Sequence, residues 1–295
     1  MINTIALNKI NDTVLNDRGI DLYVKRDDTV HLRYGGNKFR KLKYNLEFAR
    51  QNNYDTLLTF GGAFSNHIAA AAYAGKQFHF KTIGIIRGDE LKNAELSRTL
   101  QQAKANGMQL EFVSRSDYSR KFDADYLKEL STKFNNPYII AEGGCNHFGM
   151  IGCSEILAEI DVEFDYVICP VGTGTTFFGI ASALKPHQQA LGIEVYKNNS
   201  PGMASLTYAR NFPEDTSRLI AGKSIEIFNY SFNGFGKSTP QLDAFCKNFS
   251  HKNGIPVEPV YTGKMFYGIY DLSAKGYFQN PSRIVAIHTG GLQYL

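Results

Sequence analysis

The sequence predicts an α/β fold with parallel sheets, and two observations support this prediction. Short apolar runs, typical of buried strands, alternate with longer segments of helical spacing along most of the 295 residues. This alternation is the pattern of strand–helix–strand units, in which helices cover both faces of a parallel sheet. Glycine-rich turns also follow several of the apolar runs directly, at the points where parallel strands end and ligands gather. We therefore expect open, twisted parallel sheets.

The predicted elements follow one another from residue 21 onward. Strands are predicted at 21–25, 56–60, 81–87, 109–113, 138–140, 164–171, 191–195 and 283–288. Helices are predicted at 38–51, around the alanine-rich run 68–72, at 90–106, at 117–136, up to about 159, and at 177–184, 241–249 and 265–276. The region 200–239 is rich in Asn, Gly and Ser and predicts no element.

Length and composition exclude several classes of protein. The chain can form one large domain or two ordinary ones, and its hydrophobic content of 43% is typical of a globular protein. The net charge of +4 arises from 32 basic and 28 acidic residues, which is too small and too dispersed for a nucleic-acid-binding surface. No apolar run approaches the roughly 18 residues of a membrane span. We expect neither a nucleic-acid partner nor a membrane partner.

The N-terminus and the cysteines indicate a cytoplasmic protein. Residues Met1 to Ile5 lack the basic, apolar and small-residue sections of a signal peptide. The cysteines form no C-x-x-C pair and lie mostly in apolar surroundings: Cys145, Cys153, Cys169 and Cys246. We therefore expect reduced, buried thiols and no metal site.

The stretch from Gly35 to Leu42 is where we predict the reacting centre. A glycine pair leads into Asn37, a favoured helix N-cap, so Lys38 is expected in the first turn of the helix. The helix dipole and the neighbouring basic residues disfavour an ammonium group there and lower the pKa of Lys38. A neutral amine is what Schiff-base chemistry with a carbonyl requires. The alternative is an ordinary solvated basic helix start.

A second candidate is the loop Gly172-Thr173-Gly174-Thr175-Thr176, which follows an apolar strand and opens a helix. Glycines let backbone N–H groups approach an anion, and the threonine hydroxyls add donors, so the loop is a candidate phosphate site. No Gly-Lys-Ser/Thr follows it, which excludes a Walker loop. A tight turn is the alternative. One ligand explains both this loop and Lys38, namely pyridoxal 5′-phosphate, an aldehyde joined to a phosphate.

Ser65-Asn66-His67 is predicted at another helix N-terminus, after the strand that ends at Phe60. Its hydroxyl, amide and backbone donors would suit a substrate carboxylate. Asn66 is alternatively a donor to the phenolic oxygen of the cofactor. The competing interpretation is a plain Ser/Asn N-cap, with His67 as a polar residue packed in the first turn.

Two further turns carry candidate residues. Tyr261, in Tyr261-Thr262-Gly263-Lys264, is placed to stack on a bound substrate or to exchange protons with it. With 17 tyrosines in the chain, a packing role is the alternative. Thr289, at the end of the last strand, offers a hydroxyl, and a cofactor ring nitrogen that faces a hydroxyl stays unprotonated. An ordinary turn residue is the alternative there.

Taken together, these motifs resemble one enzyme family. The set GGNK-x-RKL, TFGG-x-x-SNH, a Gly/Thr loop, PVYTGK and HTGG, in this order from about Leu22 to Gly291, resembles the 1-aminocyclopropane-1-carboxylate (ACC) deaminase / D-cysteine desulfhydrase family. The resemblance implies a pyridoxal-phosphate enzyme of fold type II, the tryptophan-synthase-β-like fold. It also implies a homodimer with two domains, a large one (1–45 and 155–295) that binds the cofactor and a small inserted one (46–154).

The resemblance assigns roles to the candidate residues. Lys38 would form the Schiff base and take part in catalysis with Tyr261. Besides Lys38, the cofactor-binding residues would be Asn66, Gly172, Thr173, Gly174, Thr175, Thr176, Thr262 and Thr289. The substrate-binding residues would be Ser65, Asn66, His67 and Tyr261. The bulky pair Phe177-Phe178 at the entry to the phosphate helix departs from the expected pattern.

The residue after Tyr261 separates the two activities of the family. The resemblance implies that the deaminase branch has glutamate at this position, beside the pyridine nitrogen, whereas this chain has Thr262. Opening a cyclopropane needs a stronger electron sink than eliminating thiolate does. We therefore expect α,β-elimination of D-cysteine, a small amino-acid substrate, to pyruvate, sulfide and ammonia. The alternatives are ACC deaminase or another amino-acid lyase, a pyridoxal-phosphate- or metabolite-binding protein without turnover, and nucleotide binding at the Gly172 loop.

Overall fold

The computed structural model describes residues 7–30, 36–196, 222–227 and 229–291. The strands are β1 (Leu7–Ile10), β2 (Ile20–Lys25), β3 (Thr56–Gly61), β4 (Lys81–Arg87), β5 (Gln109–Val113), β6 (Tyr138–Ile140), β7 (Tyr166–Val171), β8 (Gln189–Glu194), β9 (Ser224–Ile227) and β10 (Ser282–Ile287). The helices are α1 (Thr13–Asn16), α2 (Asn37–Gln51), α3 (Asn66–Phe78), α4 (Arg98–Ala105), α5 (Arg115–Ser119), α6 (Ala124–Lys133), α7 (His147–Ser154), α8 (Thr175–Ser182), α9 (Pro240–Asn253) and α10 (Thr262–Ala274).

The predicted parallel α/β fold is confirmed, and every predicted strand is present within two residues of its predicted bounds. Three predicted helices are wrong in extent. The helix predicted to end at about residue 159 ends already at Ser154. The helix predicted at 90–106 begins only at Arg98, because Ser97 caps it by accepting a hydrogen bond from Leu100 N. The helix predicted at 117–136 is interrupted, because Asp123 caps a new helix there. β1, α1 and β9 were not predicted, and most of the unassigned region 200–239 lies outside the described residues.

The described residues fall into two compact units. The first comprises those within Met1–Asn37 and Cys153–Leu295, and the second is Lys38–Gly152. The domain division predicted from the sequence, with 46–154 inserted into the rest, stays a prediction. None of the helices in the described ranges is long and apolar enough to cross a membrane.

The first unit contains a six-stranded sheet in the order β1-β2-β10-β7-β8-β9. Its strands are parallel except for β1, which pairs antiparallel with β2. The central strand β7 has every residue buried, as expected for a parallel strand with both faces covered. One face packs against α9 and α10 in an apolar core that includes Phe249, Met265 and Phe266.

The second unit contains a four-stranded parallel sheet in the order β5-β4-β3-β6. Strand β3 is buried along its whole length and separates two apolar clusters, one around Phe60 and Tyr118 and one around Ile68 and Leu100. The candidate turns predicted from the sequence follow the carboxyl ends of β3, β6, β7 and β10. Those ends are where parallel sheets bind ligands.

Candidate active site

The turn after β7 ends at a helix start that lacks a side-chain cap. Helix α8 begins at Thr175, and its N-cap is Gly174, which has a left-handed φ of 83° and offers no side chain to the first N–H groups of the helix. Glycine adopts this conformation without a steric penalty. Uncapped N–H groups and the helix dipole together make the start of α8 suited to an anion.

The hydroxyl of Thr176, at this helix start, has a proton to donate. Its oxygen accepts hydrogen bonds from Asn37 Nδ2 at 3.0 Å and from the Cys153 thiol at 3.8 Å. A hydroxyl has one proton and two lone pairs, so both lone pairs are occupied. In the described part of the chain no acceptor takes the proton of this hydroxyl. The neighbouring hydroxyls of Thr173 and Thr175 lie 3.1 Å apart.

Phe177 and Phe178 belong to the core instead of disturbing the loop. Both side chains are buried. Phe177 packs on Gly192 of the adjacent strand β8, where an added Cβ would lie 3.1 Å from the phenyl ring and closer still to Val171. Because Gly192 has no side chain, the ring of Phe177 fits against strand β8, and it does not crowd the loop before α8.

The residues just before Lys38 lie against the turn that contains Thr289. Gly36 has a φ of 60°, and a Cβ there would collide with the carbonyl group of Thr289. The N–H of Asn37 donates to the same carbonyl oxygen over 3.4 Å. Together with its bond to Thr176, this fixes Asn37 to two of the turns predicted to bind the cofactor. The hydroxyl of Thr289 makes no hydrogen bond with the residues that the structure describes.

Tyr261 lies beside the beginning of the Gly172 loop. A Cβ placed on Gly172 would be 3.4 Å from Tyr261 Cε1 and 3.9 Å from its hydroxyl oxygen, so glycine allows the phenol ring to approach the backbone. The Tyr261 ring also contacts Phe235 edge-on at a centroid distance of 5.6 Å, and Phe235 in turn stacks on Tyr196 at 5.0 Å. The structure therefore brings together Tyr261 and the predicted phosphate loop.

Glu258 fixes the backbone of the Tyr261 turn. Its carboxylate is fully buried and accepts the N–H groups of Val260, Tyr261 and Thr262 at 2.6–3.1 Å. Burial raises the pKa of Glu258 to about 7, although these hydrogen bonds oppose the rise. The start of α10 thus has a hydrogen-bond acceptor supplied from within the chain.

The hydroxyl of Thr262 is also engaged by Glu258. It donates to Glu258 Oε1 at 3.1 Å and accepts from Glu258 N at 3.2 Å. The proton of Thr262 is therefore committed, and any contact of this hydroxyl with a cofactor would use its remaining lone pair. Of the two threonines predicted beside the cofactor ring, Thr289 has an uncommitted hydroxyl and Thr262 does not. The cofactor contact of Thr262 stays a prediction.

In the second unit, Lys38 lies in the first turn of α2, as predicted, and is partly buried. Arg40 and Lys41, which follow it, are buried. At the start of α3, Ser65 is the N-cap, and its hydroxyl oxygen accepts from Ile68 N at 3.4 Å. The proton of this hydroxyl finds no acceptor among the described residues, so Ser65 caps the helix and still has a donor for a carboxylate.

His67 is buried, with 2% of its surface exposed, and its ring has a defined tautomer. Nε2 lies 2.9 Å from the Thr59 hydroxyl, which itself donates to the Ile140 carbonyl at 2.8 Å. Because Thr59 has only one proton, Nε2 must carry the proton of the ring. Burial, followed by the charges of Lys38 and Lys41, lowers the pKa of His67 to about 3, so the ring is neutral. The imidazole of His67 therefore has no N–H left to donate, and the predicted contact of Ser65, Asn66 and His67 with a carboxylate stays a prediction.

Three residues that shape these turns were missed in the sequence: Asn37 as a partner of Thr176, Thr59 beneath His67, and Glu258. Glu258 had a usable signal, because an acidic residue a few positions before a helix start is a common way to satisfy the first N–H groups. The other two act across long sequence separations and have no local pattern.

These features fit pyridoxal 5′-phosphate. An uncapped helix start and the unaccepted proton of the Thr176 hydroxyl suit the phosphate, while Lys38 offers an amine for the aldehyde. Glycine at position 172 leaves room for the ring of Tyr261.

Comparison with known proteins identifies the family. The profile of pyridoxal-phosphate dependent enzymes matches residues 7–290. A putative 1-aminocyclopropane-1-carboxylate deaminase from Pyrococcus furiosus is 34% identical over 93% of this chain and 85% of its own length. A D-cysteine desulfhydrase from Klebsiella pneumoniae is 28% identical over 92% of this chain and 87% of its own.

A solved structure described as an ACC deaminase homologue gives a TM-score of 0.80 at 29% identity, covering 98% of this chain and 89% of that one. The predicted fold type and cofactor are thereby confirmed. The chain belongs to the pyridoxal-phosphate dependent enzymes and, among them, to the ACC deaminase / D-cysteine desulfhydrase family.

Proposed function

We propose that this protein catalyses the α,β-elimination of D-cysteine to pyruvate, sulfide and ammonia. The observation that carries the proposal is the residue after Tyr261. It is a threonine, fully buried and hydrogen-bonded to Glu258, where the deaminase pattern has a glutamate. Without a carboxylate at that position the cofactor ring is a weaker electron sink, which is sufficient for a good leaving group such as thiolate. Relatives carry both names, so the substrate is the part that needs testing.

When bound, pyridoxal phosphate supplies an aldehyde that combines with amines and a conjugated ring that stabilises negative charge at the α-carbon. We assign the phosphate to Gly172, Thr173, Gly174, Thr175 and Thr176, and the ring contacts to Asn66, Thr262 and Thr289. The uncapped start of α8 and the Thr176 hydroxyl support the first assignment. The free hydroxyl of Thr289 makes it the better supported of the two threonines near the ring.

Lys38 is assigned the covalent link to the aldehyde and, once released, the removal of the α-proton, with Tyr261 as the alternative base. Ser65 and Asn66 are assigned to the substrate carboxylate, because they stand at the start of α3 and the Ser65 hydroxyl has a proton to donate. We also retain the predictions of a homodimer, which sedimentation would test, and of a cytoplasmic location.

Three other functions remain to be separated by experiment. ACC deaminase or another amino-acid lyase would share the site and differ in substrate. A protein that binds pyridoxal phosphate or a metabolite without turnover would shift its visible spectrum with ligand but release no product. Nucleotide binding at the Gly172 loop predicts stabilisation by ATP, and the absence of a lysine in the loop disfavours it.

The first experiment locates the covalent link. Borohydride reduction of the purified protein followed by peptide mass spectrometry should place the cofactor on Lys38. Lys38→Ala should abolish both the link and the elimination, whereas Lys43→Ala, which removes an equal charge from the same helix, should retain both. Labelling of Lys264 would reject the assignment, because this buried lysine, whose pKa burial lowers to about 8, is the main competing amine.

The second experiment identifies the substrate. Sulfide and 2-keto-acid release should be measured for D-cysteine and L-cysteine, and 2-keto-acid release for D-serine and 1-aminocyclopropane-1-carboxylate. We expect D-cysteine to give the highest kcat/KM. A higher value for the cyclopropane substrate would replace the proposal by deaminase activity. Binding with a spectral shift and no product from any of them would support the non-catalytic alternative.

A further inference from the structure

Lys264 is a fully buried lysine in the first turn of α10. Its Nζ donates hydrogen bonds to the carbonyl oxygens of Gly234 at 2.8 Å and Val195 at 3.2 Å. Lysines are seldom buried completely, and the burial lowers the pKa of this amine to about 8. Both acceptors are uncharged main-chain groups from segments far apart in the sequence. The direct effect of the lysine is therefore to join these two segments to the start of α10.

Each of the two carbonyl groups leads into an aromatic residue. Tyr196 follows Val195, and Phe235 follows Gly234. The two rings stack, with their centroids 5.0 Å apart and their planes at 18°, and we call this pair the aromatic stack. A peptide unit is planar, so a fixed carbonyl oxygen also restrains the Cα position of the next residue. Through its two hydrogen bonds, Lys264 therefore holds the backbone of both members of the stack.

The aromatic stack ends against Tyr261. The ring of Phe235 contacts the Tyr261 ring edge-on, with centroids 5.6 Å apart and planes at 73°, a favourable arrangement for two aromatic rings. Glu258 holds the backbone of Tyr261, but main-chain hydrogen bonds do not fix the rotamer of a side chain. Phe235 itself exposes 41% of its surface, so side-chain packing covers it incompletely and its backbone anchor matters more. The direction of the Tyr261 ring thus depends on a neighbour that Lys264 helps to hold.

We propose that Lys264 is a positioning residue that fixes the direction of the Tyr261 ring through the aromatic stack. The inference rests on the proposed function for its effect on turnover, because Tyr261 is the residue assigned there to act on the substrate. Proton exchange requires the phenol oxygen to stay within hydrogen-bond reach of the reacting atom. A ring that can turn away lowers kcat without removing any group that takes part in the reaction.

The first test reads the environment of the Tyr261 ring and needs no activity. The purified protein is labelled with fluorotyrosine, and the Tyr261 signal in the ¹⁹F NMR spectrum is assigned by its absence from Tyr261→Phe. Phe235→Leu keeps an apolar side chain and removes the ring that contacts Tyr261, so this signal should move. Lys264→Met keeps the length of the side chain and removes its donors, and we expect the signal to move in the same direction. In the double variant it should move no further than in Phe235→Leu alone, because both substitutions act through one contact.

Ser273→Ala is the matched control for this test. It removes another buried hydrogen bond of α10, from the Ser273 hydroxyl to the Ile269 carbonyl oxygen at 2.6 Å, at the other end of the helix. We expect it to lower stability and to leave the Tyr261 signal at its wild-type position. A signal that stays in place in Lys264→Met, or that moves as far in Ser273→Ala, would overturn the inference. Failure of both Lys264→Met and the milder Lys264→Gln to fold would also overturn it, because the lysine would then act on stability.

The second test follows D-cysteine elimination by the unlabelled protein loaded with pyridoxal phosphate. Lys264→Met should lower kcat about tenfold and change KM less, as expected when a reacting group is displaced and not removed. In a Tyr261→Ala background, which has no ring to position, the same substitution should have little further effect. Equal losses in both backgrounds would mean that the lysine acts independently of Tyr261, and the inference would be wrong.

The outcomes separate this inference from the proposed function. If the Tyr261 signal responds as expected but no D-cysteine is eliminated, the positioning of the ring stands and the proposed function fails. If D-cysteine is eliminated but the Tyr261 signal does not respond to Lys264→Met, the proposed function stands and the inference fails.

Discussion

The starts of helices α8 and α10 lie in the same unit and differ in one respect. The first N–H groups of α10 face the buried carboxylate of Glu258, whereas those of α8 follow Gly174 and face no side-chain cap. Both helices follow turns that the sequence marks as functional, and the turns meet where Tyr261 lies beside Gly172. One helix start carries its own anion, and the other is left for an anion from outside.

This difference supports the assignment of the phosphate to the start of α8 that we make in the proposed function. A phosphate near the start of α10 would compete with the buried carboxyl group of Glu258 for the N–H groups of Tyr261 and Thr262. At the start of α8 the helix dipole and the Thr176 hydroxyl favour an incoming anion. The carboxylate of Glu258 instead fixes the backbone around Tyr261, because it accepts hydrogen bonds from the N–H groups of Val260, Tyr261 and Thr262.

The largest expected effect comes from removing the internal anion. Glu258→Ala leaves the N–H groups of Val260, Tyr261 and Thr262 without their acceptor in a buried turn. Unsatisfied buried donors are costly, so we expect the free energy of unfolding to fall by about 4 kcal/mol. Denaturant unfolding monitored by circular dichroism measures this change.

Glu258→Gln is the matched control, because its amide oxygen still accepts and its size is unchanged. We expect a loss of about half that of Glu258→Ala. An alanine variant as stable as the wild type would contradict this prediction. The Glu258 carboxylate would then not be the acceptor that stabilises the start of α10.

A smaller effect follows from the ionisation of Glu258. Its pKa is raised from the usual 4.5 to about 7, chiefly by burial, so the folded protein binds this proton more tightly than the unfolded chain does. The stability that it contributes is therefore complete below about pH 4.5 and is lost as the pH rises through 7. The difference between the two values corresponds to about 3 kcal/mol.

The measurement is the unfolding free energy of the wild type relative to Glu258→Gln, which cannot ionise, between pH 4.5 and 8. We expect the wild type to lose stability against the variant over this range. Lys264, whose pKa burial lowers to about 8, titrates mainly above it. A relative stability that increased with pH would show that the hydrogen bonds outweigh burial and that the carboxylate is ionised throughout.

The sequence predicts the strands and turns that lead into α8 and α10, but it does not predict the side-chain contacts that distinguish the two helix starts. Apolar runs and the glycines after them locate β7, β10 and their turns, because buried parallel strands have a local signature. The contrast between the two helix starts depends on where side chains point. Glu258 is only four residues from Thr262, yet its inward direction is set by the turn. Asn37 reaches Thr176 across 139 residues, a contact that no local pattern encodes.

The same limit applies to His67 and to the short elements. His67 was predicted beside a carboxylate as part of Ser65-Asn66-His67, but Thr59, in the neighbouring strand, takes the Nε2 proton and leaves Nδ1 without one. β1 and α1 have only four residues each, too few to show a period. Residue types along one segment therefore predict where a site lies, while hydrogen bonds between segments decide what each side chain offers.

The smallest expected effect is on affinity and sharpens the role of α8. Thr176→Val keeps the shape of the side chain and removes the hydroxyl proton. A hydrogen bond to a charged group contributes about 1.5–3 kcal/mol, so we expect the Kd for pyridoxal phosphate to rise about ten- to a hundredfold. Thr176→Ser, which restores the hydroxyl, should recover most of the affinity. Thr239→Val removes a hydroxyl that caps α9 through Leu242 N and should lower stability without changing affinity.

Pyridoxal, which lacks the phosphate, separates a phosphate contact from a general disturbance of the site. If Thr176 donates to the phosphate, its replacement by valine weakens the binding of pyridoxal phosphate and leaves the binding of pyridoxal nearly unchanged. The difference in affinity between the two ligands then becomes smaller. An equal loss for both ligands would mean that the hydroxyl acts through Asn37, to which it is bonded, and thus on the segment that carries Lys38. The start of α8 would then have to be assigned a role other than phosphate binding.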